Sequence, residues 1–394
     1  FVMPNAGMPE NRGGQTVYTL KADDFALPLA EMITDEGAAI VGGCCGTDPG
    51  YISALARSMA TVQPGKRSVE PLEAVSSLFS EKELTQLPPP FLIGERTNTN
   101  GSKLFRNKLL KEDWDGILEV AREQARSGAH ALDLCVAYTG RNESRDMHEA
   151  VRRIVTQVDL PLVIDSTTPE VIEQALKLAG GKSIINSINL EDGEERARRI
   201  CRLAKRYGAA LIALTIDEEG MAKEAGRKES VAKRIYTLAV EEEGIPASDL
   251  LFDTLTFTLG SGDETLKSAG IETLEGIRRV KKSCPGSRTV LGVSNISFGL
   301  SPYSREVLNS IFLDEAIAAG LDAAIVNVRK IMPLSSIPED EKIKALDLIY
   351  NRGKDPLFGY IRFFEGKEGK ERKEEDYNAG TLSERLSRHV VGGN

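Results

Sequence analysis

The stretch Pro161-Leu-Val-Ile-Asp-Ser-Thr-Thr-Pro-Glu-Val-Ile-Glu-Gln-Ala-Leu-Lys-Leu178 changes its period within a few residues. Residues 161–164 are a short apolar run. Residues 169–178 space their apolar side chains by three and four, the pattern of a helix packed on a sheet. The same unit recurs on both sides. Further apolar runs lie at 91–94, 129–132, 183–185, 209–216, 249–252, 289–293 and 322–326, and helical candidates at 114–127, 194–207, 228–243 and 304–319. Eight strand-then-helix units over 91–352 predict an α/β fold, a (β/α)8 TIM barrel, whose usual size is about 250 residues. A doubly wound open sheet shares the alternation but has fewer strands.

Composition excludes several classes. The 394 residues carry 50 Lys plus Arg against 59 Asp plus Glu, a net charge of −9. Such a surface does not attract a phosphate backbone, so nucleic acid is not an expected partner. No apolar run approaches the roughly 18 residues of a membrane helix, so no membrane partner is expected either. Five cysteines, an odd number, do not make a disulfide framework, and a reducing cytoplasmic setting is the simplest expectation. With three histidines and no paired-His spacing, histidine metal sites and Ser-His-Asp chemistry are disfavoured.

Outside the barrel span, 63–90 reads as an inter-domain linker with a short helix inside, closed by Pro88-Pro89-Pro90. Residues 1–62 offer helices at 25–36 and 49–60 and one strand at 38–41. That is too little for a domain, and the chain opens Phe-Val-Met-Pro-Asn without an initiator Met, so a piece of a longer protein is expected. Residues 353–394 read as a charged linker followed by helical spacing at 381–391.

Barrel chemistry sits at the carboxyl ends of the strands. The first acidic or carboxamide residues after the runs are Glu95, Asp133, Asp165, Asn186, Asp217, Asp253, Asn295 and Asn327. Helix capping accounts for any one of them as well as function does. For the set of eight, a polar pocket is the better explanation. The absence of a strand-end lysine argues against Schiff-base chemistry. Two ligand classes remain: magnesium held by Asp133, Asp165 and Asp253, or a nitrogen-rich heterocycle whose N–H groups meet carboxylates and carboxamides.

Five motifs in order, Gly94-Glu-Arg-Thr-Asn-Thr-Asn-Gly-Ser102, Ile164-Asp-Ser-Thr167, Ile185-Asn-Ser-Ile188, Leu251-Phe-Asp253 and Gly292-Val-Ser-Asn-Ile-Ser-Phe298, resemble the pterin-binding domain of the cobalamin-dependent methionine synthase family. Corrinoid protein methyltransferases and dihydropteroate synthases share that fold, but strand eight here, Ile325-Val-Asn-Val-Arg329, fits the synthases less well. Val41-Gly-Gly-Cys-Cys-Gly-Thr47 and Met3-Pro-Asn-Ala-Gly7 resemble the end of the family's homocysteine-binding barrel. There two adjacent cysteines, here Cys44 and Cys45, bind zinc with a third cysteine upstream of this chain. Leu382-Ser-Glu-Arg-Leu-Ser-Arg-His-Val-Val391 resembles the start of the family's cobalamin cap, whereas the cobalamin motif itself is absent.

The resemblance implies a 5-methyltetrahydrofolate-binding methyltransferase, the folate half of methionine synthesis. Cobalamin would be held by a corrinoid-bearing domain outside this chain, with zinc only in the intact homocysteine domain. Asp165, Asn186 and Asp253 match the residues that grip the pterin's polar edge, and Thr97, Asn98 and Thr99 the loop lining its pocket. Asn295 matches the residue that hydrogen-bonds N5, and Arg305 a basic residue near the folate. Ser301 stands where some relatives have Arg in the loop after Asn295, and Cys135 where many have Asn after strand two. The alternatives are a folate-binding module inactive without its corrinoid domain, and a corrinoid protein methyltransferase.

Overall fold

The computed structural model describes residues 1–66 and 72–367. The expected cap helix at 382–391 lies outside the described residues. The chain divides into two compact units, Phe1–Leu72 and Glu73–Asn394.

The second unit is a closed, all-parallel eight-stranded barrel. Its strands are β1 (Phe91–Gly94), β2 (Ala131–Leu134), β3 (Leu162–Asp165), β4 (Ile184–Ile188), β5 (Ala210–Leu214), β6 (Leu250–Asp253), β7 (Arg288–Gly292) and β8 (Ala323–Val326). β8 closes on β1 with Ala323 opposite Phe91 and Val326 opposite Gly94. The covering helices are α1 (Trp114–Arg126), α2 (Glu143–Ile154), α3 (Pro169–Ala179), α4 (Glu194–Tyr207), α5 (Ala225–Tyr236), α6 (Ala269–Ser283), α7 (Pro302–Ala319) and α8 (Glu339–Ile349). The unit quoted first shows why. Pro169 occupies the first turn of α3, where its missing N–H costs nothing, and Gly180 ends the helix at φ +72°. Val171, Ile172, Ala175, Leu176 and Ala179 are the buried stripe between. Among the described residues, no helix is long and apolar enough to cross a membrane.

Strand alternation sorts the side chains into two cores. Phe91, Ile93, Ala131, Val163, Ile184, Ala210, Ile212, Leu251, Val290 and Ala323 fill the barrel. Their neighbours, such as Leu132, Ile164, Ile185, Leu211 and Phe252, face the helices.

Four expectations are corrected. The described part of 63–90 holds no helix. It carries a two-stranded hairpin, Ala74–Ser76 against Glu81–Glu83, whose Val75 and the following Leu84 join the interior core. This hairpin floors the amino end of the barrel. Ser76 exchanges hydrogen bonds with Lys182 (Ser76 N–H to Lys182 O, 3.0 Å; Lys182 N–H to Ser76 Oγ, 2.9 Å). Arg288 at the base of β7 reaches the Glu73 carboxylate and donates to Thr85 Oγ1 at 3.1 Å. The helix expected at 228–243 is α5 followed by a wider π-turn at Thr237–Glu242. Beyond 352, helix Pro356–Phe364 packs on the barrel through buried Tyr360, whose hydroxyl donates to Ser304 O at 2.7 Å.

The first unit holds a hairpin (Pro9–Arg12 with Gln15–Tyr18) and helices Ala22–Thr34 and Pro49–Met59, closed over Phe25, Ala26, Leu29, Ala54 and Leu55. The strand expected at 38–41 is reduced to a single bridge between Val41 and Val2, because among the described residues no strand beside it extends the ladder.

Candidate functional site at the carboxyl end of the barrel

Two residues beyond the interior core on each strand, alternation returns a side chain to the barrel axis. From Ile93, Ala131, Val163, Ile184 and Leu251 this step reaches Glu95, Asp133, Asp165, Asn186 and Asp253. From Ile212, Val290 and Ala323 it reaches Leu214, Gly292 and Ile325. The polar layer therefore comes from five strands, not eight. Asp217 lies past it, ion-paired to Arg227 (2.5 Å) and Arg234 (3.5 Å). Asn327 is the residue before a short 3-10 turn, where its carbonyl accepts from Lys330 N at 2.8 Å.

Asn98 organises the layer. Its Nδ2 donates to Asp133 Oδ2 at 2.7 Å and to Asp165 Oδ2 at 2.8 Å, while Asn186 Nδ2 reaches Asp133 Oδ1 at 3.4 Å. Thr97 and Thr99 on either side are fully buried. The Thr97 hydroxyl donates to Asp133 O (2.7 Å) and accepts from Gln124 Nε2 (3.2 Å), and Thr99 donates to Ala137 O (2.8 Å). Both threonines thus hold Asn98 in place. Asp253 accepts from Leu255 N at 2.7 Å.

Asn295 stands on the 3-10 turn Val293–Ser297 with its side chain exposed and, among the described residues, without a hydrogen-bond partner. A Cβ on Gly292 would come within 3.1 Å of Asn295 Nδ2, so the glycine leaves the room in which that amide lies. Arg305, in the first turn of α7, donates from Nε to Ser297 Oγ (3.1 Å) and from its guanidinium to Ser294 O (3.3 Å). It braces the turn that carries Asn295. Ser294 Oγ donates to Glu95 Oε1 at 3.0 Å, so Glu95 sits one residue from Asn295.

The layer is an acid cluster short of water. Burial pushes Asp133 and Asp253 up to about 6 and Glu95 up to about 7. Asp165 rises to about 8, through burial first and then the neighbouring Asp133 charge. Cys135, held as a thiol by burial that pushes it up to about 12, is a donor toward Asp165. Each of these carboxyls keeps acceptor capacity beyond the Asn98, Asn186 and Leu255 N–H bonds it already takes, which a planar heterocycle bearing an amino group and ring N–H groups can fill.

The magnesium expectation fails on geometry. An Asn98 amide stands between Asp133 and Asp165, one Asp253 oxygen is taken by the Leu255 N–H, and among the described residues no three His, Cys, Asp or Glu side chains converge as metal ligands. In the first unit, Cys44 and Cys45 are exposed with their sulfurs 3.8 Å apart. Two thiolates of a zinc tetrahedron with Zn–S of ~2.3 Å stand about that far apart, so the pair fits two of four positions. The further donors are not among the described residues.

One residue escaped the sequence analysis, Lys228, and one that it named, Glu95, went without a role. Glu95 was visible as a strand-end acid, but its proximity to Asn295 requires β1 and β7 to stand on one rim. Lys228 lies on a helix and carries no strand-end signal, yet it is fully buried beneath the loop after Asp253.

A parallel barrel with this acid-and-amide layer defines a class, and comparison agrees: residues 94–327 match the pterin binding enzyme family, to which the chain belongs. Residues 1–59 match the homocysteine S-methyltransferase family. Over its full length the chain is 44% identical to the methionine synthase of Mycobacterium tuberculosis and 43% identical to that of Mycobacterium leprae, and it spans 34% of each. The protein is thus a relative of the methionine synthases that covers their pterin-binding region and part of their homocysteine-binding domain. Among solved structures, a dihydropteroate synthase from Xanthomonas albilineans superposes with a TM-score of 0.50 at 16% identity, covering 66% of this chain and 95% of that one. That likeness concerns the fold alone.

Proposed function

We propose that the barrel binds 5-methyltetrahydrofolate and hands its N5-methyl group to cob(I)alamin carried by another module of the parent protein. The observation that supports this best is the layer of Asp133, Asp165, Asn186 and Asp253, in which Asn98 links Asp133 to Asp165. Its raised carboxyls await the N–H row of an aminopyrimidinone ring. Pairing with these acids from several strands fixes the ring's plane and depth, and therefore where N5 stands.

The corrinoid supplies the nucleophile. The protein's part is to make N5 a tolerable leaving group: as the methyl–nitrogen bond breaks, its electron pair stays on N5, which then needs a proton. Asn295, free to donate, stabilises that developing charge, an interaction stronger in the transition state than before it. Glu95, one residue away through Ser294 and poised near neutrality, is the acid from which the proton is drawn. Around the mouth, Tyr138, Met221 and Phe298 expose apolar surface on the loops after β2, β5 and β7, a rim suited to a docking module. Cys44 and Cys45 are read as two zinc donors of the homocysteine domain, where zinc would hold a thiolate substrate.

The test supplies the chain with methyltetrahydrofolate and free cob(I)alamin and follows the loss of the cob(I)alamin absorbance. Transfer by the parent chain, with Asn295→Ala slowed about 100-fold and its folate affinity within a fewfold of the parent, is the expected outcome. Folate binding without transfer would favour a binding module that works only with its partner domain. No folate binding would sink the reading.

A further inference from the structure

A lysine with no exposed surface is rare, because an ammonium loses several kcal/mol of hydration on burial. Lys228 in α5 is such a residue, 0% exposed, and it makes no ion pair among the described residues. Its Nζ lies on the chain just past β6, donating to Thr254 O and, at 3.0 Å, to Leu255 O. The Phe257 ring faces the ammonium at 5.1 Å. Leu255 O also accepts from Thr273 Oγ1 of α6 at 3.0 Å.

These carbonyls belong to a strained turn. Leu255 has φ +58°, a left-handed conformation that costs a side-chain-bearing residue of order 1 kcal/mol or more. From it the Leu255 N–H points back onto Asp253 Oδ1 at 2.7 Å. Space for the lysine stem is also provided: a Cβ on Gly276 of α6 would stand 2.7 Å from Lys228 Cδ and 3.6 Å from Thr254 Cβ.

We propose that Lys228 is a positioning residue for Asp253. Clamped on the carbonyls of Thr254 and Leu255, its ammonium holds the left-handed turn from which the Leu255 N–H orients the Asp253 carboxylate toward the ligand. The cation also offsets the charge of that carboxylate when it ionises against a bound heterocycle, and Gly276 keeps the channel for the stem open. The inference rests on the folate-binding reading of the layer.

Binding of 5-methyltetrahydrofolate is measured by calorimetry for the parent, Lys228→Met, Gly276→Ala, Asp253→Asn and the two double variants that combine each change with Asp253→Asn. Lys228→Met is expected to weaken binding about tenfold and Gly276→Ala about threefold, and neither should add a further loss to Asp253→Asn. In methyl transfer, KM for the folate should rise in step while kcat at saturation stays within about twofold. Should Lys228→Met fail to fold, Gly276→Ala alone and with Asp253→Asn decides the matter. Parent-like affinity in either folded variant, or a loss that persists in full beside Asp253→Asn, overturns the inference while leaving the folate reading intact. A parent chain that does not bind the folate overturns both.

Discussion

At the scale of single residues, the site spends stability on chemistry. Asp165 is raised to about 8 against an unfolded value near 3.9, so between those limits the folded chain holds its proton more tightly than the unfolded one. Its contribution therefore turns unfavourable as pH rises through that window. Asp165→Asn keeps an acceptor for the Asn98 amide and removes the acid. Its Tm at pH 8.5 should exceed the parent's by roughly 2–4 °C while folate binding is lost, as differential scanning calorimetry and titration would show. In the parent, pterin N–H donors favour the carboxylate, so binding at pH 7 should release about one proton, measured by calorimetry in buffers of different ionisation enthalpy. Glu95, raised to about 7, must be protonated to act as an acid, so transfer should fall as pH rises through that value. Glu95→Gln should slow transfer roughly 100-fold at pH 6 and flatten this limb; an unchanged pH–rate profile would remove Glu95 from the mechanism. The acids themselves were legible in the sequence. Their protonation states were not, because burial and the approach of Asp133 to Asp165 come from different strands.

Among elements, the βα units were legible because each strand and helix carries its own period and its own stop signals, as Pro169 and Gly180 do for α3. The floor hairpin was not. Its strands are three residues long, and Val75 and Leu84 declare themselves only against the barrel interior they close. Three prolines nearby suggested a spacer, yet the segment before them is pinned by Ser76, Arg288 and Asp159, the last accepting from Ser80 Oγ at 2.8 Å. Leu84→Ala should lower stability by about 3 kcal/mol in chemical denaturation, with folate affinity unchanged, since the cavity opens at the end of the barrel away from the site. A matching loss of affinity would mean that floor and mouth are coupled. The sequence reading also counted eight polar strand ends because it took the next polar residue after each run. Alternation by two selects five, and Leu214, Gly292 and Ile325 complete the layer.

For the whole molecule, two units in one chain raise the question of where the barrel begins. Compactness places the boundary at Glu73 rather than at Phe91. A chain starting at Glu73 should unfold in one cooperative transition and bind 5-methyltetrahydrofolate with the affinity of the full chain. One starting at Phe91 loses Val75, Leu84 and the Glu73–Arg288 pair and should melt at least several degrees lower. Equal melting temperatures would restore the later boundary. Local order was written in the sequence itself: the number of βα units, their sequence order and the acid or amide that follows each apolar run all come from periodicity and motifs that neighbouring residues carry. The assembled structure decided which strand-end groups share the axis, that Asn98 ties two carboxyls together, that Glu95 lies beside Asn295, and that Lys228 lies under the turn that follows Asp253. Those relations join residues tens to hundreds of positions apart, and their energies depend on distance and burial, which exist only once the barrel closes.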